Sequence, residues 1–295
     1  MASGDHSTAK LARGFIKLTG PDVRSWLQGL VSNDVDQVSS TKTAHAAMLN
    51  PQGKFLFHMF IWPQADGLIL ETSPERVAAL IQRLTMYKLR AAVDLSDVSD
   101  DFEIHLIWGD GLLAAVNLPT EAGAAVIADD VIITVDPRLA ALGLRVLAPK
   151  GADIDVSVSA TQADIQQYRA HQARLGVFDP DGDLRPEKTT LLEANFDFLG
   201  GVDFNKGCYV GQEVTARMHY RGLARKRYWI VESPGADLKP GDVVTSGDKE
   251  AGEIMSGQDG VGLALIRTDR LTDGVQPTIN GAPVTVTRPG YLASS

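Results

Sequence analysis

One strand–turn–helix sequence pattern occurs twice in this chain, and this repeat limits the folds that the chain can adopt. In the first copy, "GFIKLTGPDVRSWLQGLVSNDV", an apolar strand leads to Pro21 at a favoured first helical position. Val23 and Leu27 then follow at helical spacing. The second copy, "FEIHLIWGDGLLAAVNLP", has an alternating strand, a glycine-containing turn and a short apolar helix. The repeat predicts that residues 14–50 and 102–150 are two halves of one α+β unit, interrupted by an insertion.

The segment between the two copies has its own secondary-structure pattern. Strands are predicted at "KFLFHMFIW" and "GLILETS", and a helix is predicted from Ser73 because apolar residues follow with a period of 3.6. A further helix is predicted after Thr161, with Asp164 at the capping-box position and Gly176 at its end. We therefore expect a small α+β subdomain inserted into a larger unit.

The chain changes character after Gly222. Short β-rich runs such as "KRYWIVES" and "VGLALIRT" alternate with turns such as Asn280-Gly281. Strands of this length and spacing predict a small antiparallel barrel or sandwich, with a boundary near residue 222.

Charge and hydropathy argue against two classes of partner. The formal net charge of −9 disfavours general binding to duplex nucleic acid through its phosphates. No stretch reaches the roughly 18 uncharged apolar residues of a membrane span. We expect no direct nucleic-acid partner and no membrane partner. The run from Arg217 to Arg227 is basic and lacks acidic residues, which predicts either a solvated face or an anion-binding surface.

The compartment follows from the N-terminus and the cysteine count. "MASGDHSTAKLARGF" has no apolar signal core, and one cysteine cannot form an intramolecular disulfide. This usage suits a reducing compartment, so the expectation is a cytoplasmic protein or one of an organelle matrix.

The one cysteine, Cys208, lies in "KGCYVGQE". Gly207 and Gly211 permit a tight turn, and "QEVTARMHY" then has helical character, so the thiol is expected just before a helix N-terminus. That position, with Lys206 nearby, favours the reactive thiolate. Two alternatives stay open: a small buried cysteine, and a cysteine hydrolase with His219 as the base.

Metal-ligand spacing is absent from the sequence. The six histidines are scattered without an i, i+4 pair, so no metal site is predicted. A lone cysteine can ligate an iron–sulfur cluster only if a partner chain or a small thiol supplies the remaining ligands.

Glu193 is a carboxylate among apolar neighbours in "LLEANFDFLGG". Burying it unpaired would be costly, so it is expected to face a polar cavity or to pair with a base. A fused-ring heterocycle with amino and ring N–H donors would suit it, and an ordinary salt bridge is the alternative.

Taken together, "KGCYVGQE", the following "ARMHYRG" and the preceding "LLEANFDFLGGVDFNKG" resemble the signature of the YgfZ family of folate-binding proteins. That family has eukaryotic relatives that are mitochondrial iron–sulfur assembly factors, and its superfamily includes the T-protein of the glycine cleavage system. The similarity spans nearly the whole chain, since "LTGPDVRSWLQGLVSNDV", "MLNPQGKFLFHMFIW" and "YKLRAAVDLSDVS" resemble the family's first three phrases.

The resemblance implies an α+β fold with three subdomains in a ring around a central channel. Residues 1–50 and 101–221 would form a discontinuous folate-binding core, residues 51–100 an inserted subdomain, and residues 222–295 a C-terminal antiparallel β-barrel. It also implies a bacterial cytoplasmic location, or the mitochondrial matrix in a eukaryote.

The resemblance further implies the function and its residues. The function is to bind tetrahydrofolate, or a derivative, and to support assembly or repair of iron–sulfur clusters in client enzymes, including tRNA-modifying ones. Folate and iron–sulfur client or assembly proteins would be the partners, and a transient cluster would be shared with one of them. Cys208 would be the functional thiol on a loop shaped by Gly207 and Gly211. The predicted cofactor-binding residues are Glu193, Lys206, Tyr209, Gln212, Glu213, Arg217 and Arg221.

Two other functions remain open. T-protein enzymes carry a catalytic aspartate near the position that Phe57 and His58 occupy here, so an aminomethyl or methyl transferase that uses folate is the alternative. The remaining possibility is a module that delivers or protects folate, in which Cys208 is structural.

Overall fold

A computed structural model describes residues 6–116, 118–154, 156, 158–234 and 237–293. Residues 1–5 of the N-terminal stretch and residue 117 of the second repeat copy lie outside the described residues. The strands found in the described part are β1 His6–Leu11, β2 Gly14–Thr19, β3 Ala44–Leu49, β4 Phe55–Gln64, β5 Gly67–Thr72, β6 Asp94–Asp97, β7 Phe102–Trp108, β8 Ala125–Ala128, β9 Val131–Val135, β10 Leu144–Pro149, β11 Ala160–Gln162, β12 Lys226–Glu232, β13 Val243–Ser246, β14 Lys249–Gln258, β15 Val261–Arg267, β16 Thr278–Ile279, β17 Ala282–Pro283 and β18 Thr285–Thr287. The α-helices found there are α1 Val23–Gln28, α2 Val77–Lys88, α3 Leu112–Ala115, α4 Ile165–Arg174 and α5 Gln212–Tyr220.

The chain divides into two compact units. The first comprises Met1–Pro51, Leu56–Ile165 and Gly200–Gln212, and the second comprises Gln52–Phe55, Gln166–Leu199 and Glu213–Ser295. A division into two units does not test a division into three segments, so the segment bounds predicted from the sequence stay a prediction.

The first unit contains a five-stranded sheet with strand order β3-β4-β5-β2-β6, in which the pairs from β4 to β6 are antiparallel. Helices α1 and α2 cover it because their apolar faces, including Leu27 and Leu80, are buried against the sheet. The predicted strands β4 and β5 and the helix α1 are confirmed. The helix predicted from Ser73 begins as a 3₁₀ turn at Pro74–Arg76 and becomes α-helical at Val77.

The first unit also contains a six-stranded sheet with strand order β11-β1-β7-β10-β9-β8. Here the second repeat copy supplies β7, which pairs with β1 and β10, whereas β2 of the first copy lies in the other sheet. The predicted capping role of Thr161 is wrong. Thr161 lies in β11, where it is in register with Ser7 of the parallel strand β1, and the helix starts at Ile165.

The second unit contains a seven-stranded sheet with strand order β17-β16-β13-β14-β15-β12-β18, and each of its pairs is antiparallel. Its core includes Val231, Ile254 and Ile266. Asn280 and Gly281, with φ of 50° and 83°, form the tight turn between β16 and β17 that positive φ at both central residues favours. The β-rich character predicted after residue 222 is confirmed.

A buried group of ion pairs, here called the Glu71 network, links the two sheets of the first unit. Glu71 on β5 is 0% exposed, and its carboxylate accepts hydrogen bonds from Arg13 Nε at 2.7 Å and Arg145 Nε at 2.9 Å. Trp62 Nε1 donates a further bond at 3.1 Å. Burial raises the pKa of Glu71, but the two guanidinium groups outweigh it, so the pKa lies below its ordinary value. Because Arg145 is on β10, the network fixes β5 against the six-stranded sheet.

Asp136 and Arg138 extend the network at the end of β9. Arg138 binds the Asp136 carboxylate through Nε at 2.9 Å and Nη2 at 2.7 Å, and both side chains are buried. The Arg145 guanidinium lies 3.9 Å from the ring centre of Phe60 on β4. Each buried carboxylate is thus bound by guanidinium groups, and the aromatic face of Phe60 covers the guanidinium of Arg145.

Candidate functional site

The predicted functional cysteine lies on residues 200–211, here called the motif loop, which lead into α5. Lys206 anchors this loop. Its ammonium group donates three hydrogen bonds to main-chain carbonyl oxygens, at 2.8 Å to Gln28, 2.7 Å to Val31 and 2.7 Å to Asn33. An ammonium group has three donors, so all of them are used within the first unit. The loop is thereby attached to the connection between α1 and β3.

The charge of Lys206 is set by opposing effects. Burial lowers the pKa of Lys206 to about 8, whereas the carboxylates of Asp34, Asp203 and Asp36 act to raise it. The ammonium also lies 5.2 Å from the ring centre of Tyr209. Lys206 therefore fixes the position of the loop through its three hydrogen bonds. Its predicted cofactor-binding role stays a prediction.

Main-chain hydrogen bonds hold the rest of the motif loop on the same connection. The N–H of Val210 donates to the carbonyl of Gly29 at 3.1 Å, and the N–H of Asp203 donates to that of Ser32 at 3.1 Å. The Val210 side chain packs against the core beneath the five-stranded sheet. With anchors on both sides of residue 208, the loop presents Cys208 in a defined place.

Tyr209 and Gln212 also stabilise the loop. Tyr209 is 9% exposed, and its N–H donates to Gln212 Oε1 at 3.2 Å, while the Gln212 N–H donates back to the Tyr209 carbonyl at 3.3 Å. This reciprocal pair closes the last turn of the loop at the start of α5. Ligand contacts by either residue stay predictions.

Cys208 is exposed, so the alternative of a small buried cysteine is wrong. The prediction that it comes just before a helix is confirmed, because α5 begins four positions later at Gln212. Gly211 has a φ of 82°, which an L side chain rarely adopts. A Cβ at Gly207 would meet nothing within 4 Å. Gly211 is therefore required by the turn, whereas a side chain at Gly207 would enter open space.

We expect the two glycines to respond differently to alanine. Gly211→Ala should lower the free energy of unfolding by about 1 kcal/mol, since it forces a Cβ into the left-handed region. Gly207→Ala should change it by less than about 0.5 kcal/mol, because the added methyl group enters open space. Urea unfolding of both variants, followed by circular dichroism, measures the difference. Equal losses of unfolding free energy in the two variants would show that the turn does not depend on the positive φ of Gly211.

The predicted residues on α5 are exposed. Glu213, Arg217 and Arg221 each present their side chains to solvent in the second unit. Arg227, at the end of the basic run, is instead paired with Asp197 at 2.9 Å and 2.8 Å. The basic surface therefore ends before residue 227, and anion binding by Arg217 and Arg221 stays a prediction.

Glu193 is half-buried in the second unit. Its Oε2 accepts hydrogen bonds from the N–H of Thr190 at 3.0 Å and from the Thr190 hydroxyl at 2.7 Å. Its carbonyl oxygen accepts the N–H of Tyr228 on β12 at 2.9 Å. Within the described part of the chain, no salt bridge to Glu193 forms, which disfavours that alternative. The carboxylate keeps Oε1 for another donor.

His58, near the place of the T-protein aspartate, is buried on β4. Its Nε2 lies 3.2 Å from Nδ1 of His45, and its ring meets the edge of Phe60 at 4.8 Å. Burial holds the pKa of His58 well below its ordinary value, and the nearby His45, Arg138, Arg13 and Arg145 act in the same direction. His58 is thus a neutral core imidazole at neutral pH.

Acid is therefore expected to destabilise the protein through His58. Below the unfolded-state pKa of 6.5, the unfolded chain takes up a proton that folded His58 does not, so stability falls as the pH falls. The expected loss from this group is about 1 kcal/mol between about pH 7 and pH 5.5. His58→Gln should flatten this part of the pH profile, measured by urea unfolding. Equal slopes in wild type and His58→Gln would contradict the assignment.

Neither a cluster of metal ligands nor a membrane-spanning helix is found among the described residues. Within the described ranges, no group of three His, Cys, Asp or Glu side chains is placed to hold a metal ion. None of the helices described is both long enough and apolar enough to cross a membrane.

The sequence did not predict which groups accept the hydrogen bonds of Lys206. They are carbonyl oxygens of residues about 175 positions away, and a carbonyl carries no side-chain signature.

Comparison with known proteins yields a family model, close relatives and a structural neighbour. The model of the CAF17 C-terminal β-barrel domain matches residues 225–294. A mitochondrial iron–sulfur cluster assembly factor IBA57 homolog from Mycosarcoma maydis is 32% identical, with 90% of this chain and 75% of the relative covered. Mitochondrial IBA57 from Mus musculus is 31% identical, with 88% and 76% covered.

One structural neighbour is the glycine cleavage system aminomethyltransferase T from Bartonella henselae. It superposes with a TM-score of 0.73 at 15% sequence identity, covering 97% of this chain and 86% of that chain. At this identity the likeness shows the fold alone. The predicted T-protein-like α+β fold with a C-terminal antiparallel barrel is confirmed.

Proposed function

The chain belongs to the IBA57 family of iron–sulfur cluster assembly factors, and from that premise we propose that it acts through the thiolate of Cys208 on clusters destined for client enzymes. The observation that carries this proposal is the exposed cysteine on a loop that Lys206 anchors by three hydrogen bonds. A thiolate is the ligand that iron–sulfur clusters prefer. Because the loop is already anchored, it presents the thiolate to a cluster without the entropy cost of ordering the loop on binding.

The cluster is cargo in this proposal. One thiolate supplies one of the four ligands that a cluster normally takes, so a partner or a small thiol supplies the others. Cys208 is exposed, so a partner chain can reach the sulfur. Cys208 would therefore share a cluster transiently with an assembly protein or a client enzyme.

Folate binding is the second part of the proposal. Glu193 fits a pterin because its Oε1 remains available to an N–H donor while Thr190 holds Oε2. Arg217 and Arg221 are exposed one helical turn apart and suit the anionic tail of a folate. Lys206 fits less well because its donors are already used. When bound, tetrahydrofolate would supply a carrier for one-carbon groups.

The transferase alternative has weaker support. Phe57 and His58 are both buried on β4, and neither offers a carboxylate to assist transfer of an aminomethyl group. The likeness to aminomethyltransferase T concerns the fold. Support for cluster-dependent enzymes is thus the function that the site favours.

The identity of the client enzymes and the branch of the family are inferred from the sequence resemblance. We propose that the clients include tRNA-modifying enzymes and that the chain is close to the YgfZ branch. The relatives compared above are mitochondrial proteins, so the proposed location is the mitochondrial matrix in a eukaryote and the cytoplasm in a bacterium.

Complementation tests the proposal. A bacterial strain that lacks its own family member would express either wild type or Cys208→Ser at equal protein levels, and the readout would be the activity of a cluster-dependent tRNA methylthiolase. Rescue by wild type alone would support a chemical role for the thiol.

A further inference from the structure

The lining of a small cavity in the second unit includes neither Cys208 nor Glu193. It has a volume of about 200 Å³ and is lined by α4, by residues 177–183, by the end of β14 and by Leu263 of β15. Val177 and Leu263 give it an apolar wall, and Arg169, Asp179, Asp183 and Ser256 give it polar groups. The volume equals roughly seven waters at about 30 Å³ each, so only a small molecule fits.

Asp183 is the unusual group in this cavity. Its side chain is buried, with 1% of the residue exposed. Oδ2 accepts the N–H of Asp179 at 2.7 Å, but Oδ1 is buried and has no hydrogen-bond partner among the described residues. The Ser256 hydroxyl is close enough to act on the Asp183 carboxyl but makes no hydrogen bond to Oδ1. A buried acceptor without a donor is costly, so a donor from outside the chain would be stabilising at Oδ1.

The charges around Asp183 indicate the sign of that partner. The cation facing the cavity from α4 is Arg169, and its Nε lies 3.5 Å from Asp179 Oδ2, so it is matched by that carboxylate. Ionised Asp183 then leaves one negative charge unbalanced. From β12, the Tyr228 hydroxyl is neutral at ordinary pH and donates to the Asp183 carbonyl oxygen at 2.6 Å. The unbalanced charge favours a ligand with one positive charge.

The protonation of Asp183 makes this binding sensitive to pH. Burial and the Asp179 carboxylate raise the pKa of Asp183 to about 7, while the Ser256 hydroxyl, the Asp179 N–H and Arg169 act to lower it. The carboxyl is thus about half ionised near neutral pH. A cation should bind better as the pH rises through this range, and a neutral acceptor such as a ketone should bind better as it falls.

We propose that this cavity binds a short primary alkylammonium ion, whose N–H donates to Oδ1 of Asp183 and whose carbon chain lies against Val177 and Leu263. The ammonium group satisfies the buried acceptor and the unbalanced charge together. The apolar wall selects a chain of a few carbons over a bare ammonium ion. This site does not depend on the role of Cys208.

Titration calorimetry of the full chain with n-butylammonium chloride tests the proposal. Binding in the millimolar range or tighter is expected at about pH 8, weakening about tenfold at about pH 6 as the ionised fraction of Asp183 falls. n-Butanol lacks the charge and tetramethylammonium lacks an N–H donor, so both should bind at least about tenfold more weakly. Equal binding of n-butanol, no binding of n-butylammonium, or tighter binding at the lower pH would each overturn the proposal.

Variants identify the cavity as the place of binding. Asp183→Asn should weaken binding at about pH 8 by about tenfold and remove its pH dependence. Asp248→Asn removes an equal charge from an exposed turn of the same sheet and should bind like wild type. If Asp183→Asn fails to fold, the test uses Ala173→Leu instead. This substitution on α4 fills the cavity without changing its charge. Undiminished binding by the folded cavity variants would place the ligand elsewhere and refute the site.

Discussion

Cys208→Ser is expected to fold like the wild type and to lose the ability to restore cluster-dependent enzyme activity. The loss should be on the order of tenfold or more, because a serine hydroxyl is a poor ligand for iron in a sulfide cluster. The readout is methylthiolated tRNA in the strain that lacks its own family member, with protein levels matched by immunoblot.

The structure separates this loss from a loss of stability. Cys208 is exposed and contributes nothing to either core, so the free energy of unfolding of Cys208→Ser should stay within about 0.5 kcal/mol of wild type. Gly207→Ala is the matched control, since it changes the adjacent exposed position and keeps the thiol. It should rescue as well as wild type.

Three outcomes of the rescue experiment have distinct meanings. If wild type and Gly207→Ala rescue and Cys208→Ser does not, the thiol is chemically required. If Cys208→Ser rescues equally, the proposed thiol role is wrong, and folate binding through Glu193 becomes the function to test. If wild type itself fails to rescue, the assignment of bacterial clients is wrong, whatever the role of the thiol.

Local patterns predicted the elements of the fold, because their signals lie within a few residues. Leu27 and Leu80 fall on helical faces whose period is visible in the sequence, and Asn280-Gly281 marks a turn by its backbone preference alone. Thr161 shows where this logic fails. Thr161 and Asp164 have the spacing of a capping box. However, Thr161 lies in a strand because it pairs with β1, more than 150 positions earlier.

The site was predictable only where side chains themselves carried the pattern. Cys208 and Gly211 belong to a recognisable motif, and the structure places one on the surface and the other at a positive φ. Lys206 donates to carbonyl oxygens, and Asp183 owes its properties to a cavity formed by distant segments. Neither environment can be read from neighbouring residues, because burial and long-range pairing create it.

The largest stability effect is expected at Glu71, a residue that the sequence did not single out. Glu71→Gln should lower the free energy of unfolding by about 3–5 kcal/mol, because it removes the carboxylate that compensates two buried guanidinium groups. In wild type, Arg13, Arg138 and Arg145 carry three positive charges against the two carboxylates of Glu71 and Asp136. The variant raises the buried excess from one positive charge to two, and a glutamine oxygen cannot balance it.

A partly exposed carboxylate provides the control for this prediction. Glu103 lies 3.0 Å from Lys10 Nζ and 2.7 Å from His105 Nε2, and its side chain is 18% exposed. Because solvent screens this group, unlike Glu71, Glu103→Gln should cost about 1 kcal/mol or less. Urea unfolding at neutral pH measures both variants. A loss at Glu71 no larger than that at Glu103 would mean that water or local rearrangement compensates the arginines. In that case the Glu71 network would not be what holds β5 against β10.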